Sequence, residues 1–130
     1  MSSITHRFDE ALRARARRHL DAFERRGAED EGLRPAAVAV VLLPDAEGRA
    51  CFLITRRAAG LRAHARQWAL PGGRLDRGEH AVEAALRELR EEVGLTLGPE
   101  TVLGTLDDYG TRSGFLITPV VVWGLSLIHI

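Results

Sequence analysis

Three carboxylates lie within five residues near the middle of the chain, at Glu88, Glu91 and Glu92. The surrounding residues 80–93 contain neither Gly nor Pro and are rich in Ala, Glu, Leu and Arg, which predicts a helix. At about 100° per residue, the three acids share one stripe of that helix. Carboxylate oxygens are the ligands that Mg²⁺ and Mn²⁺ prefer, so the pattern predicts a site for one of these ions.

A glycine-rich segment precedes this helix. The sequence Pro71-Gly72-Gly73 predicts a turn whose backbone can approach an ion or a phosphate closely, and Gly72 can offer a carbonyl ligand. Glu79 adds a fourth carboxylate between the turn and the helix. The alternative is a solvated acidic helix face, supported by Arg87 and Arg90, that binds no metal. The diglycine and Glu79 favour the metal site.

The segment from Gly73 to Leu95 follows the pattern G-x5-E-x7-R-E-U-x-E-E-x-G-U, in which U is aliphatic, without a mismatch. This pattern resembles the signature of the Nudix hydrolases, and we call residues 73–95 the box. The resemblance implies a metal-dependent hydrolase that cleaves the diphosphate bond of a nucleoside diphosphate linked to another group.

The resemblance also implies roles for individual residues. Three box glutamates are expected to be both catalytic residues and metal ligands: Glu88, Glu91 and Glu92. The Gly72 carbonyl can complete the metal shell, Arg87 is expected to orient the glutamates, and Gly73 is expected to contact the substrate. Glu79 is either a further metal contact or a structural carboxylate that fixes the loop. The general base stays open among the box glutamates and three later acids: Glu100, Asp107 and Asp108.

A second motif lies immediately upstream of the box. Residues 53–73 resemble the pattern LLTxR[SA]x3Rx3Gx3FPGG of coenzyme A diphosphatases. The matching residues are Thr55, Arg57, Ala58, Arg62, Pro71, Gly72 and Gly73. Two residues depart from the pattern, because Arg66 replaces a Gly and Leu70 replaces a Phe. The Leu keeps an apolar side chain, whereas the Arg adds bulk and charge to the loop.

Arg57 and Arg62 are the predicted substrate-binding residues of this motif. Coenzyme A carries a 3′-phosphate as well as its diphosphate, and Arg binds phosphate in a planar, bidentate manner. The alternative is that these residues reflect a GC-rich genome, because all 18 basic residues of the chain are Arg.

The sequence is therefore compatible with three functions. The leading prediction is Mg²⁺- or Mn²⁺-dependent hydrolysis of coenzyme A or its thioesters to 3′,5′-ADP and 4′-phosphopantetheine or its acyl derivative. The first alternative is hydrolysis of ADP-ribose, a nucleotide sugar or a nucleoside triphosphate. The second is a non-catalytic module that senses a nucleotide, although such modules usually lose box glutamates and this chain keeps them.

The bulk composition excludes several classes of protein. The formal net charge is zero, so no overall field favours nucleic acid or an anionic membrane. Neither a signal peptide nor an apolar run of membrane length is present, which predicts a cytoplasmic protein with a small-molecule nucleotide as its partner. A homodimer stays open. The single Cys51 cannot form an internal disulfide and is expected to be a buried, inert thiol.

Secondary-structure patterns place these residues in a fold. An apolar repeat predicts a helix over residues 5–26, and strands are predicted at 36–43, 51–55, 102–106 and 115–123. Within the box helix, an apolar stripe is predicted to face the core: Val82, Leu86, Leu89 and Val93. Strands on both sides of a central helix predict an α+β fold. The resemblance implies a Nudix-type α/β/α sandwich, with a mixed β-sheet carrying the box loop and helix.

We divide the chain into an N-terminal helix and connector (residues 1–32) and a Nudix hydrolase domain (residues 33–124), which is expected to be incomplete at its C-terminus. Residues 125–130, LSLIHI, match one reading frame of a transposon-end sequence used to prepare sequencing libraries. They are expected to be an adapter artefact, with the natural protein continuing past Gly124. The alternative is the end of a genuine apolar strand.

Overall fold

A computed structural model describes residues 6–24, 32–56 and 68–124 of the chain. The helices within these residues are α1 (Glu10–Ala22) and α2 (Ala81–Val93), and a single 3-10 turn covers Pro99–Thr101. The strands are β1 (Arg34–Pro44), β2 (Ala50–Phe52), β3 (Thr55–Arg56), β4 (Trp68–Ala69), β5 (Gly72–Arg74), β6 (Val102–Thr105), β7 (Tyr109–Gly110) and β8 (Phe115–Trp123). No helix among the described residues is both long and apolar enough to cross a membrane.

The larger of two sheets is mixed and is built around β1 and β8. These two strands run parallel, from Arg34 opposite Phe115 to Leu42 opposite Trp123. β2 and β5 both pair antiparallel with the side of β1 that faces away from β8, whereas β6 and β7 pair antiparallel with the far side of β8. Among the described residues, the smaller sheet consists of β3 and β4. The predicted α+β class with a mixed sheet is confirmed.

The helices cover opposite faces of the larger sheet. On one face, α2 packs against alternate residues of β1 and β8: Ala37, Ala39, Val41, Val120 and Val122. On the other face, α1 contributes Leu12, Ala16 and Leu20 to a second cluster around Leu103, Val121 and Trp123. The described residues therefore form α, β and α layers. Alternation along the two central strands decides which side chains meet which helix.

The box helix α2 has well-defined ends. Its first turn is supported by the Glu83 carboxylate, which accepts a hydrogen bond from the N–H of His80 at 3.1 Å. Its C-terminus is Gly94, whose φ of 77° lies in the left-handed region that favours glycine. The predicted apolar stripe is confirmed, because Leu89 is fully buried and Val82, Leu86 and Val93 pack against the same core cluster. Ala84 and Ala85 are fully buried as well, and their small side chains let the helix approach the sheet closely.

Four predicted elements differ from the structure. Residues 71–73 were expected to form a turn, but Gly72 and Gly73 belong to β5, because they pair with β1. The predicted strand 51–55 is interrupted, since β2 pairs with β1 and β3 pairs with β4. The loop before β8 contains the short strand β7. Helix α1 begins later than predicted, after Asp9 accepts a hydrogen bond from the Leu12 N–H, and it ends earlier, at Ala22.

Candidate functional site

The diglycine lies at the edge of the larger sheet, with its backbone turned toward α2. The N–H of Ala39 donates to Pro71 O at 2.8 Å, and the N–H of Leu75 donates to Pro35 O at 3.1 Å. Residues alternate along a paired strand, so the N–H and C=O groups of Gly72 and Arg74 point away from β1. They are therefore available to side chains of α2.

Two residues of α2 bind these outward backbone groups. Glu92 Oε1 accepts a hydrogen bond from the Gly72 N–H at 3.4 Å. Arg87 Nη2 donates to the Arg74 carbonyl oxygen at 3.0 Å. The free edge of β5 is thus joined to the helix, and the Gly72 carbonyl lies on the same edge as the Glu92 carboxylate.

Gly73 allows a third side chain of α2 to approach the strand. A Cβ atom placed on Gly73 would lie 2.6 Å from Glu88 Oε1, a separation that real Cβ atoms do not show. The Glu88 carboxylate therefore occupies the space that any other residue at position 73 would need. This close approach is the structural reason for glycine at this position.

Arg87 is the centre of the carboxylate cluster. Its Nε and Nη2 donate to the two oxygens of Glu79 at 2.8 Å and 3.0 Å, a bidentate pair. Its Nη1 donates to Glu88 Oε1 at 2.9 Å and to Glu91 Oε2 at 3.1 Å. Asp76 Oδ2 lies 3.2 Å from Nε. The prediction did not include Asp76, because nothing in the box pattern marks that position.

These contacts change the protonation equilibria of both partners. Hydrogen bonding to Arg87 holds the pKa of the Glu79 carboxyl below its ordinary value. Hydrogen bonding to Glu79, and then to Glu88, raises the pKa of the Arg87 guanidinium further above its ordinary value. Both side chains are mostly buried, with 16% of Arg87 and 13% of Glu79 exposed. The pair is therefore a fixed ionic contact beneath the more exposed Glu91.

The donor set suits a hard divalent cation. The Arg87 guanidinium contacts the carboxylates of Glu79, Glu88 and Glu91, and Asp76 lies beside it. Glu92 binds the nearby Gly72 N–H, so the acids of this cluster carry more negative charge than one guanidinium neutralises. Among the described residues, no three acidic, His or Cys side chains converge closely enough to hold an ion. Glu88 and Glu91 bind Arg87 instead, and Glu92 binds Gly72. Oxygen-only donors and an excess of negative charge still fit Mg²⁺ or Mn²⁺.

The other predicted residues lie outside the described part of the chain or away from this cluster. Arg57 and Arg62 lie outside the described residues, as does the segment 125–130. Of the later acids, Asp108 Oδ1 accepts a hydrogen bond from Thr118 Oγ1 at 2.7 Å. Cys51 is half-buried, its Sγ donates to the Leu43 carbonyl at 3.3 Å, and burial raises the pKa of its thiol. A protonated thiol with a raised pKa is a poor nucleophile, in accord with the expected inert role.

A cleft of about 490 Å³ opens on the opposite face of the sheet. It lies beyond α1, where the first halves of β1 and β8 meet β5. The described residues that line it are Ala36, Ala37, Val38, Ala69, Leu70, Gly72, Gly73, Arg74, Tyr109, Phe115 and Ile117. Tyr109 and Phe115 were not among the predicted site residues. The available signal was the position of Tyr109 within the loop predicted between the strands 102–106 and 115–123, and of Phe115 directly after that loop, which brings two aromatic rings to one end of the sheet.

Comparison with known proteins agrees with this geometry. A family model described as NUDIX domain matches residues 33–125. An uncharacterized Nudix hydrolase, NudL, from Pectobacterium atrosepticum is 48% identical over 71 residues, covering 54% of this chain and 37% of that protein. Nudix hydrolase 3 from Caenorhabditis elegans is 36% identical over 93 residues, covering 71% of this chain and 39% of that protein. The matched region thus spans less than half the length of these curated relatives.

A solved structure is similar as well. The crystal structure of a Nudix hydrolase from M. smegmatis, RenU, superposes with a TM-score of 0.56 at 28% identity. The similarity covers 75% of this chain and 65% of that one. The mixed sheet flanked by two helices is therefore shared with this neighbour.

Proposed function

The chain belongs to the Nudix family, and from this premise we propose that it hydrolyses the diphosphate bond of coenzyme A or its thioesters. The products are 3′,5′-ADP and 4′-phosphopantetheine or its acyl derivative. The observation that carries the proposal is the cluster of box carboxylates at the outer edge of β5, where a diphosphate can approach the diglycine backbone.

The proposed function includes a bound divalent cation. Glu88, Glu91, Glu92 and the carbonyl oxygen of Gly72 are the groups that would hold Mg²⁺ or Mn²⁺. The chemistry that such an ion supplies when bound is neutralisation of the diphosphate oxygens and activation of a water molecule for in-line displacement at phosphorus.

The chain's own residues hold these carboxylates in position. Arg87 is fixed by its bidentate contact with Glu79 and by the Arg74 carbonyl, and it holds the carboxylates of Glu88 and Glu91 beside Gly73. Glu79 then acts as the structural carboxylate of the loop, because both of its oxygens are bound to Arg87. Preformed positions for the carboxylates reduce the reorganisation that binding of the substrate would otherwise require.

The choice of coenzyme A rests on the motif before the box. Arg57 and Arg62 match the coenzyme A diphosphatase pattern and would bind substrate phosphates.

We also propose that the protein is cytoplasmic and is either a monomer or a homodimer. Size-exclusion chromatography with light scattering measures the oligomeric state.

A substrate panel tests the proposal. The protein is incubated with coenzyme A, acetyl-coenzyme A, ADP-ribose and a nucleoside triphosphate, with and without Mg²⁺ or Mn²⁺, and 3′,5′-ADP is quantified by mass spectrometry. We expect metal-dependent release of 3′,5′-ADP and a higher kcat/KM for coenzyme A than for the other substrate classes. Preference for ADP-ribose or a triphosphate would overturn the substrate. Absence of turnover on the whole panel would favour a nucleotide-sensing module.

Two variants connect turnover to the carboxylates. Glu91→Gln or Glu92→Gln should lower kcat by about a hundredfold or more, because each removes a charge from the proposed metal site. Glu47→Gln is the matched control, since Glu47 is an exposed glutamate in the turn between β1 and β2. Equal activity of all three variants would contradict the assigned site.

A further inference from the structure

We propose that the cleft on the face opposite the carboxylates holds the nucleoside half of the substrate, with the base against Tyr109 and a ribose phosphate at Arg74. This inference rests on the proposed function and deepens it, because it names the residues that select a nucleoside carrying an additional phosphate.

Apolar side chains form the floor of the cleft. Ala36 and Val38 of β1 lie beside Ile117 of β8 on one face of the sheet, as their register requires. The volume of about 490 Å³ lies within the range of sites for small molecules and cofactors. A floor of short aliphatic side chains on two adjacent strands suits a planar ring system.

Aromatic side chains stand at the edge of this floor. Tyr109 pairs with Ile117 across β7 and β8, and 47% of it remains exposed. Phe115 also lines the cleft, and the guanidinium carbon of Arg34 lies 4.4 Å from its ring centroid. An exposed ring beside an apolar floor can stack on a nucleoside base, because every base has a π-face.

The charge at one end of the cleft is positive. Among the described residues that line the cleft, Arg74 is the one that carries a charge. Ala36 lies opposite Arg74 and two residues after Arg34, so both guanidinium groups lie at the same end. The described part of the lining contains no carboxylate, so an anionic group at this end would meet cations.

The cleft and the carboxylate cluster share the diglycine. Gly72 and Gly73 line the cleft, while Glu92 and Glu88 contact the same two residues from the α2 side. A ligand lying in the cleft can therefore pass over the edge of β5 to the carboxylates. Arg74 follows Gly72 by two residues, about 7 Å along the strand. The scissile diphosphate then lies at Gly72, and a second phosphate on the ribose lies at Arg74.

Binding of a product in the absence of divalent cations tests this arrangement independently of turnover. Isothermal titration calorimetry of the full chain with 3′,5′-ADP and with 5′-AMP, both in EDTA, gives two dissociation constants for each variant. Tyr109→Ala should weaken both ligands by about tenfold, because both lose the same stacking contact. Arg74→Ala should weaken 3′,5′-ADP by about tenfold but 5′-AMP by less than about twofold.

Matched controls separate local effects from unfolding. Phe52→Ala removes an exposed aromatic ring at the other end of β1, and Arg18→Ala removes an exposed guanidinium on α1. Both should bind as the unsubstituted protein does. Unchanged dissociation constants in Tyr109→Ala and Arg74→Ala overturn the inference, even when coenzyme A is hydrolysed. Failure of the proposed function instead shows as no hydrolysis of coenzyme A by the unsubstituted protein.

Discussion

At the scale of single residues, the Arg87 guanidinium binds more carboxylates than its single positive charge can neutralise. Its guanidinium binds both oxygens of Glu79 and one oxygen each of Glu88 and Glu91. Glu79 takes the shortest contact and is the most deeply buried of these acids. The bond to Glu79 therefore fixes the guanidinium, and the other two carboxylates keep part of their charge for a cation.

Gly73→Ala tests the close approach of Glu88 to β5. The new Cβ would require the Glu88 carboxylate to move, since the two atoms would lie 2.6 Å apart. The end of a glutamate side chain can move, and Ala is about 0.5–1 kcal/mol better than Gly inside a strand, so the free energy of unfolding should change by less than about 1 kcal/mol. Mn²⁺ affinity, measured by calorimetry, should fall by about tenfold.

Gly72→Ala provides the contrast to that variant. A Cβ at Gly72 would collide with the backbone of Ala37 and Val38, which cannot move without breaking the pairing of β5 with β1. This variant should lose stability in urea denaturation, whereas Gly73→Ala should not. Equal stability loss in the two variants would contradict the distinction between a side-chain contact and a backbone contact.

The lowered pKa of Glu79 predicts a pH dependence of stability. Its folded pKa lies below the ordinary value of 4.5, so ionised Glu79 stabilises the fold above that value. The contribution is lost as pH falls through the lower, folded pKa. The difference in unfolding free energy between the unsubstituted protein and Glu79→Gln should be constant above about pH 5.5 and shrink below about pH 4.5. Urea denaturation at several pH values measures it, and a pH-independent difference would count against the ion pair.

The sequence predicted where the candidate site residues lie in the fold better than it predicted their contacts. A period of 3.6 residues was sufficient to place Glu88, Glu91 and Glu92 on one helix. The bond from Arg87 to Glu79 depends on how the loop folds back over the helix, which no periodicity specifies. Tyr109 was not singled out, because its position at the cleft results from pairing with β8, which brings together residues that are distant from the box in sequence.

At the scale of secondary-structure elements, the helix α2 and the strand β5 act as one unit. β5 is an edge strand, and an edge leaves N–H and C=O groups without strand partners. Glu92 and Arg87 bind two of those groups at Gly72 and Arg74. The helix thus covers the edge with the same side chains that form the carboxylate cluster, so displacement of α2 would disturb both.

The elements that the sequence predicted well are those with a long local signal. β8 was predicted with its observed limits, because a run of apolar and β-branched residues extends over the whole strand. Helix α2 was predicted to within one residue, since Gly94 marks its end. β5 and β7 could not be predicted in the same way. They contain three and two residues and exist only because they pair with β1 and β8.

Gly94→Ala tests the termination of α2. At a φ of 77°, an alanine side chain is strained, and the expected loss in unfolding free energy is about 1–2 kcal/mol. Gly94→Asn is the matched control, because Asn adopts the left-handed conformation more readily than Ala and should lose less stability. Thermal denaturation followed by circular dichroism compares the two, and a more stable Ala variant would show that the helix end does not need this backbone conformation.

At the scale of the whole molecule, the sheet separates two surfaces with different chemistry. One face carries α2 and the carboxylates, while the other carries α1 and the apolar cleft. α1 covers the end of the sheet around Trp123 and leaves the end around Phe115 open. The position of α1 therefore decides where the cleft begins, although α1 contributes none of its lining residues.

Phe8→Ala tests whether α1 and the segment before it belong to the same cooperative unit as the sheet. The Phe8 ring stacks on Trp123 with centroids 3.9 Å apart and an interplanar angle of 10°. Phe8 is half-buried, so its loss should cost about 2–3 kcal/mol, somewhat less than a fully buried Phe. Phe23→Ala, at the more exposed C-terminal end of α1, should lower the free energy of unfolding by less than about 1 kcal/mol.

If α1 unfolds together with the sheet, Phe8→Ala shifts a single urea transition, and circular dichroism and tryptophan fluorescence give equal midpoints. Separate midpoints would show instead that α1 unfolds independently of the sheet.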